Sequence, residues 1–205
     1  MIEIAIVLVI IGLLLGGVLK GQELINSAKV KNLVGDFRNI PVFIYGYQDK
    51  YKALPGDDSA AVTHLPVTAG ITVTNGDGSG VIDGAWNATT GESFQFWQQV
   101  RLAGFSPGAV DTTSTEYVPK NAVGGKLGVT NAVANIPILG MKGTYVVCSD
   151  AIPGKFAKQL DITLDDGNPA TGSLMVGVVG TTGGAAIATT ALVLDDTTYL
   201  VCMGY

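Results

Sequence analysis

The chain begins MIEIAIVLVIIGLLLGGVLK, and residues 4–19 of it are sixteen consecutive positions without a charge. A bilayer core takes roughly 20 apolar residues as a helix, so this run needs Ile2 and residues upstream to complete a span. It is not patterned as a secretory signal. No basic residue precedes the apolar stretch, and a helical pattern continues past Lys20 instead of ending at a small-residue cleavage site. From Gln22 to Tyr51, apolar residues recur at helical spacing at Leu24, Ile25, Ala28, Leu33, Val34, Phe37, Ile40, Ile44, Tyr47 and Tyr51, with Lys29, Lys31, Asp36 and Arg38 on other faces. The pattern predicts one helix of about fifty residues, near 75 Å long at 1.5 Å per residue. Its second half offers a stripe to a globular head, whereas its first half is apolar all round and has nothing in the chain to pack on. Pro41 lacks an amide hydrogen and predicts a bend near Phe37–Pro41.

A projecting helix that is apolar on every side needs either lipid or identical neighbours. Glu3 stands at the head of this run, where an acid costs about 2.5–3.5 kcal/mol on insertion scales unless it finds a partner. The nearest candidate is the positive α-amine of an adjacent copy. Glu3 would then be paired only in an assembly, and would penalise misaligned packing. Gly12, Gly16, Gly17 and Gly21 weaken the helix by up to about 1 kcal/mol each relative to alanine.

The stretch MIEIAIVLVIIGLLLGGVLKGQELINSAKVK resembles the N-terminus of type IV pilins and type II secretion pseudopilins, whose mature chains commonly begin Phe-Thr-Leu/Met-Ile-Glu. This sequence starts two residues short of that pattern, which points to a mature N-terminus with two more residues. The resemblance implies cleavage after a glycine by a prepilin peptidase, methylation of the new amine, and pairing of Glu3 with a neighbouring subunit's N-terminus. Helices of this family often lose helicity around such glycines on assembly. The implied fold is α+β, a long N-terminal α-helix packed on an antiparallel β-sheet head. Residues 1–52 form the helix, with 1–25 in the membrane or filament core and 26–52 on the head, and residues 53–205 form the extracytoplasmic head.

Charge is divided along the chain. Residues 1–52 carry a net +2 and residues 53–205 a net −7, so the distal part is acidic. An acidic surface repels nucleic-acid backbones, and the twelve basic residues form no cluster in sequence, so no dedicated nucleic-acid module is expected. Cys148 and Cys202 are too far apart for a C-x-x-C motif, and a single His64 leaves no transition-metal set. Each cysteine lies in a strand-like run, GTYVVCS and TTYLVCMGY, and a disulfide reads better than two buried thiols. Such a bridge closes a loop of roughly fifty residues, worth on the order of 4 kcal/mol in the chain-entropy model, and requires an oxidising compartment.

After Tyr51, KALPGDDSA breaks the helix and starts an irregular Gly/Thr/Asn-rich segment. Thr89 and Glu92 have capping-box spacing for a short helix with Phe94, Trp97 and Val100 on its apolar face and Gly104 at its stop. From about Tyr117, strands are expected in ILGMKGTYVVC, SLMVGVVG, AIATTALVL and TYLVCMGY, with a helix marked by Phe156, Ala157, Leu160 and Leu164 and closed by Asp165-Asp166-Gly167.

Catalytic patterns are weak. Gly76, Gly78 and Gly80 lack the Lys-Ser/Thr of a phosphate loop, and no G-x-S-x-G elbow exists. The acid pairs Asp57-Asp58, Asp165-Asp166 and Asp195-Asp196 read as solvated turns. The stretch TNGDGSGVIDGAWNATTGES reads instead as a calcium loop. Asn75, Asp77 and Ser79 alternate as in an EF-hand, Gly80 supplies the turn, Val81 offers its carbonyl and Ile82 is the apolar anchor. Asp83 acts directly or through water, and Glu92 replaces the acid missing at Trp86. The alternative is a Gly-rich turn whose Asn and Asp cap their own backbone. The resembled proteins often show a similar Asn-Gly-Asp-Gly stretch followed by a Glu before a Trp-containing helix.

These features predict a structural protein, not an enzyme. It would be a homopolymer of identical subunits that waits in the inner membrane before assembly, meets the pilus assembly machinery, and ends as a cell-surface filament. A pseudopilin of a type II secretion system, in a periplasmic filament, is the alternative; a membrane-tethered periplasmic binding module or hydrolase is the reading from another class.

Overall fold

The structure, a computed structural model, describes residues 2–66, 69–179 and 183–205, with the side chains of Ile2, Glu3 and Ala5 outside the described set. One helix, α1, runs from Ile2 to Tyr51. Only its second half is packed: Val30, Leu33, Val34, Phe37, Ile40, Ile44 and Tyr47 are buried at i, i+3, i+4, i+7 spacing. Leu24 and Ile25, expected on the packing stripe, are exposed, and burial on the head begins at Val30.

The helix continues through Pro41. Proline has no N–H to give to the carbonyl four residues back, so the Phe37 carbonyl loses its intrahelical donor. The Tyr205 hydroxyl donates to that carbonyl at 2.6 Å, which satisfies it from the other end of the chain. α1 stops where Lys52 adopts a left-handed φ of 58°, with its N–H still bonded to the Gln48 carbonyl.

The chain then folds back on α1. The Asp58 carboxylate accepts the Tyr47 hydroxyl at 2.7 Å and lies 2.7 Å from His64 Nδ1, at the end of the single turn α2 (Ala61–His64). Helix α3 (Glu92–Leu102) follows. It does not use the Thr89/Glu92 capping box: Gly91 is the N-cap, without a side-chain bond, because Glu92 is engaged elsewhere. Its buried face holds Phe96, Trp97 and Val100, and Phe94 is half-buried. Arg101 is buried on the same helix; its Nη1 donates to the carbonyls of Ala109 and Tyr117 at 2.7 Å.

Four antiparallel strands make the sheet: β1 (Leu127–Asn131), β2 (Tyr145–Pro153), β3 (Leu174–Val178) and β4 (Thr198–Gly204), in the order β1-β2-β4-β3. Helix α4 (Gly154–Leu164) connects β2 to β3. Alternation along the strands gives two apolar faces. Val129, Val147, Val176 and Val201 face the core shared with α1, α3 and α4. Val146, Cys148, Met175, Leu200 and Cys202 face the other way, under Trp86, Ile138 and Met141. The head is therefore helices on sheet on loop. Strand β1 was not singled out by the sequence. The strand expected in AIATTALVL is replaced by the 3-10 turn Thr190–Leu192, with only a bridge at Ala186.

Both outer strands are covered. Beside β1, Thr130 Oγ1 donates to the Gly84 carbonyl at 2.6 Å, and Asn131 Nδ2 donates to the Ile82 carbonyl at 3.1 Å. Along β3, the Val176 N–H goes to the Pro169 carbonyl at 2.9 Å, and the Ile187 N–H comes to the Val176 carbonyl at 2.8 Å.

Cys148 and Cys202 form a disulfide. The two residues are directly paired across β2 and β4, and both are fully buried.

Candidate functional site

Two regions answer the sequence expectations. The first is the free half of α1. From Ile6 to Leu19 every large apolar side chain is exposed, from 46% at Ile11 to 73% at Leu13, and the helix is long and apolar enough to cross a membrane. Gly12, Gly16, Gly17 and Gly21 have no atom of the head near the space a Cβ would take, so the chain's own packing gives no reason for them. The Lys20–Glu23 pair at 2.7 Å is the first charged contact after the run. Glu3 lies in the first turn of α1, and its side chain is outside the described residues.

The second region is the loop between α2 and α3. Gly76 fits so closely against Asp57 that a Cβ there would lie 2.4 Å from the Asp57 backbone, and its N–H donates to the Asp58 carbonyl at 2.9 Å. This approach wraps the loop around the Asp57 carboxylate. Oδ1 accepts the Ser79 N–H at 2.9 Å and Oδ2 accepts the Gly80 N–H at 2.8 Å. Glu92 does the same from the first turn of α3: Oε1 accepts the Asp77 N–H and Oε2 the Asp83 N–H, both at 2.9 Å. Carboxylate oxygens of Asp57, Asp77 and Glu92 lie within 4.8 Å of one another.

Asp57 and Asp58 are 4% and 1% exposed, which corrects the expectation of solvated turns for this pair. Burial raises Asp57 above the ordinary aspartate range, against the backbone N–H bonds it accepts. Burial likewise raises Glu92, reinforced by the negative Asp57 and Asp77. The exposed Asp77 is lowered by the N–H and hydroxyl of Ser79. Burial pushes Asp58 upward too, but hydrogen bonds from His64, Tyr47 and Ala60 outweigh it and hold this carboxylate below its usual value.

The expected ligand set is redistributed. Asp77 and Glu92 come together. Asn75 turns away, its Oδ1 accepting the Val62 N–H at 2.9 Å, and Asp83 Oδ1 accepts from Asn131 Nδ2 at 2.9 Å. The Ser79 hydroxyl sits 3.5 Å from both Asp57 Oδ1 and the Val81 carbonyl. Ile82 is buried, as an anchor should be. Asp57 was missed as a candidate, and no spacing rule finds it because it lies outside the Gly-rich stretch. Three carboxylates this close repel one another, and either a proton held among them or a hard divalent cation would relieve them.

Among the described residues, Asp161, Asp165 and Asp166 form a second acidic group, spent on turn-making: Asp165 Oδ2 accepts the Leu174 N–H, and Asp166 accepts from Asn168 and Thr171. No protein-family model matches the sequence, and no curated protein matches it.

Proposed function

We propose that the chain is a structural subunit of a pilus-like filament of the type IV pilin kind. The apolar helix holds the subunit in the inner membrane before assembly and then polymerises with identical copies, displaying the acidic head at the cell surface. The observation that carries this reading is the contrast along α1. Its second half is buried on the head, while residues 6–19 expose large apolar side chains on every side. At about 1.5–3 kcal/mol for burying each such side chain, the free half cannot rest in water, and lipid followed by neighbouring helices gives it two successive homes. Glu3 pairs with a neighbour's α-amine in the assembly, and a prepilin peptidase and assembly machinery are the partners that produce it.

The loop between α2 and α3 has a structural task in the same reading. A calcium ion bound by Asp57, Asp77 and Glu92 cancels their repulsion and pins the loop to α3. With so few charged ligands its affinity is weak, of the extracellular order of about 10⁻⁴–10⁻³ M.

Images of the native filament from cells carrying the wild-type chain or Glu3→Ala test the reading. Expected are helix-cored filaments for the wild type and few or none for the variant, with the variant still folded and membrane-bound. Filaments of normal number and length from Glu3→Ala would sink the pairing role. A wild-type chain that stays monomeric under every condition would sink the filament itself.

A further inference from the structure

A groove of about 820 Å³ lies open between α1 and α4. We propose that it seats the uncharged segment, residues 4–19, of a second copy's α1, an inference that rests on the filament reading above. Its lining includes Val30 and Val34 of α1, with Ser27 beside them, and Ile162, Gln159 and Thr163 of α4. Ile162 is a large aliphatic side chain left 69% exposed beside the base of the head.

Dimensions select the occupant. The groove follows α1 from Glu23 to Arg38, about 22 Å of helix at 1.5 Å per residue. The uncharged segment has nearly the same length, about 24 Å by the same rise. A helix roughly 10 Å across and 22 Å long encloses about 1,700 Å³, so the groove takes close to half of it: one face, with the other free for further copies. Glu23, Lys31 and Arg38 also line the groove; an uncharged segment offers them no partner, so the seat requires their long side chains to keep the charged ends in water. Small Ser27 lets a second backbone approach closely. A parallel copy seated this way is displaced by nineteen residues, about 28 Å along the helix.

Paired cysteines in the full-length chain test the seat: Ile162→Cys combined in turn with Val7→Cys, Ile10→Cys or Leu14→Cys. The native cysteines are locked in a buried disulfide and do not compete. Mild oxidation of assembled protein should give dimers and a ladder for at least one pair. Ile162→Glu should cut assembly at least tenfold with the thermal unfolding of the head unchanged. Normal filaments with no cross-link at any pair and no effect of Ile162→Glu overturn the seat and leave the filament reading standing. A wild-type chain that never self-associates overturns both. A phospholipid that co-purifies with the monomer and is lost in Ile162→Glu, while assembly is unchanged, makes the groove a lipid seat and overturns the proposal.

Discussion

The hydroxyl of Tyr205, the last residue, donates to the carbonyl of Phe37 at 2.6 Å, the acceptor that Pro41 leaves without a helical partner. Burial pushes the hydroxyl up to about 12, so it remains a donor at physiological pH. Tyr205→Phe leaves a buried carbonyl unsatisfied and should lower stability by about 1–3 kcal/mol. In a Pro41→Ala background the restored N–H supplies that carbonyl, and the same substitution should cost clearly less. Urea unfolding of the four chains in detergent measures both losses; equal losses would mean that the hydroxyl acts through another partner, such as Met203 Sδ at 3.3 Å, and not through the Phe37 carbonyl.

Cys148→Ser should destabilise the head by about 2–5 kcal/mol, the usual range for a native disulfide in a small secreted domain. The two strands stay paired by their backbone ladder, so the variant should keep its sheet by circular dichroism while melting earlier. Thiol titration of unfolded wild-type protein isolated without reductant checks the premise, with no free thiol expected.

Millimolar calcium should raise the melting temperature of chelator-treated protein, and the rise should be abolished by Asp77→Ala and weakened by Asp57→Asn. Because burial and its acidic neighbours raise Glu92, protons compete for the site, and the calcium effect should shrink as pH falls. Superimposable melting curves with calcium and with chelator would remove the ion from the account of this loop.

Asp161 is buried, and its pKa is raised to about 6, first by burial and then by Asp166 and Asp165. The folded state therefore holds a proton that the unfolded state has released between about pH 4 and 6, so stability falls as pH rises through that window. Asp161→Asn should stabilise by about 1–2 kcal/mol at pH 7, with the gain disappearing below about pH 4. A gain independent of pH, read from melting temperatures at several pH values, would assign the effect to something other than this carboxylate.

The long helix was legible because its periodicity is local: the stripe from Leu33 to Tyr47 can be read without knowing what covers it. What stayed hidden depends on partners far along the chain. Asp57-Asp58 looks like a solvated turn until Ser79 and Gly80 close over one carboxylate and Tyr47 and His64 over the other. The capping box at Thr89 was a correct local option that lost, since Glu92 bonds the N–H groups of Asp77 and Asp83 instead. The alternation in AIATTALVL suggested a strand, but the edge of β3 takes up only Ala186 and Ile187 before the chain turns away. The disulfide followed from two cysteines in strand-like runs with neither redox nor metal spacing; that its halves face each other across β2 and β4 did not.

The coverings of the outer strands bear on how such molecules can live at high density. An open strand edge is a template on which another chain can add, and growth of that kind has no fixed end and no respect for orientation. Here Gly84 and Ile82 occupy the flank of β1, and Pro169 with Ile187 the flank of β3. Heads crowded side by side thus have little backbone to offer one another. In the proposed filament, adhesion between copies would fall to the helix, whose axis gives the assembly a direction, and the sheet would stay out of cross-β growth.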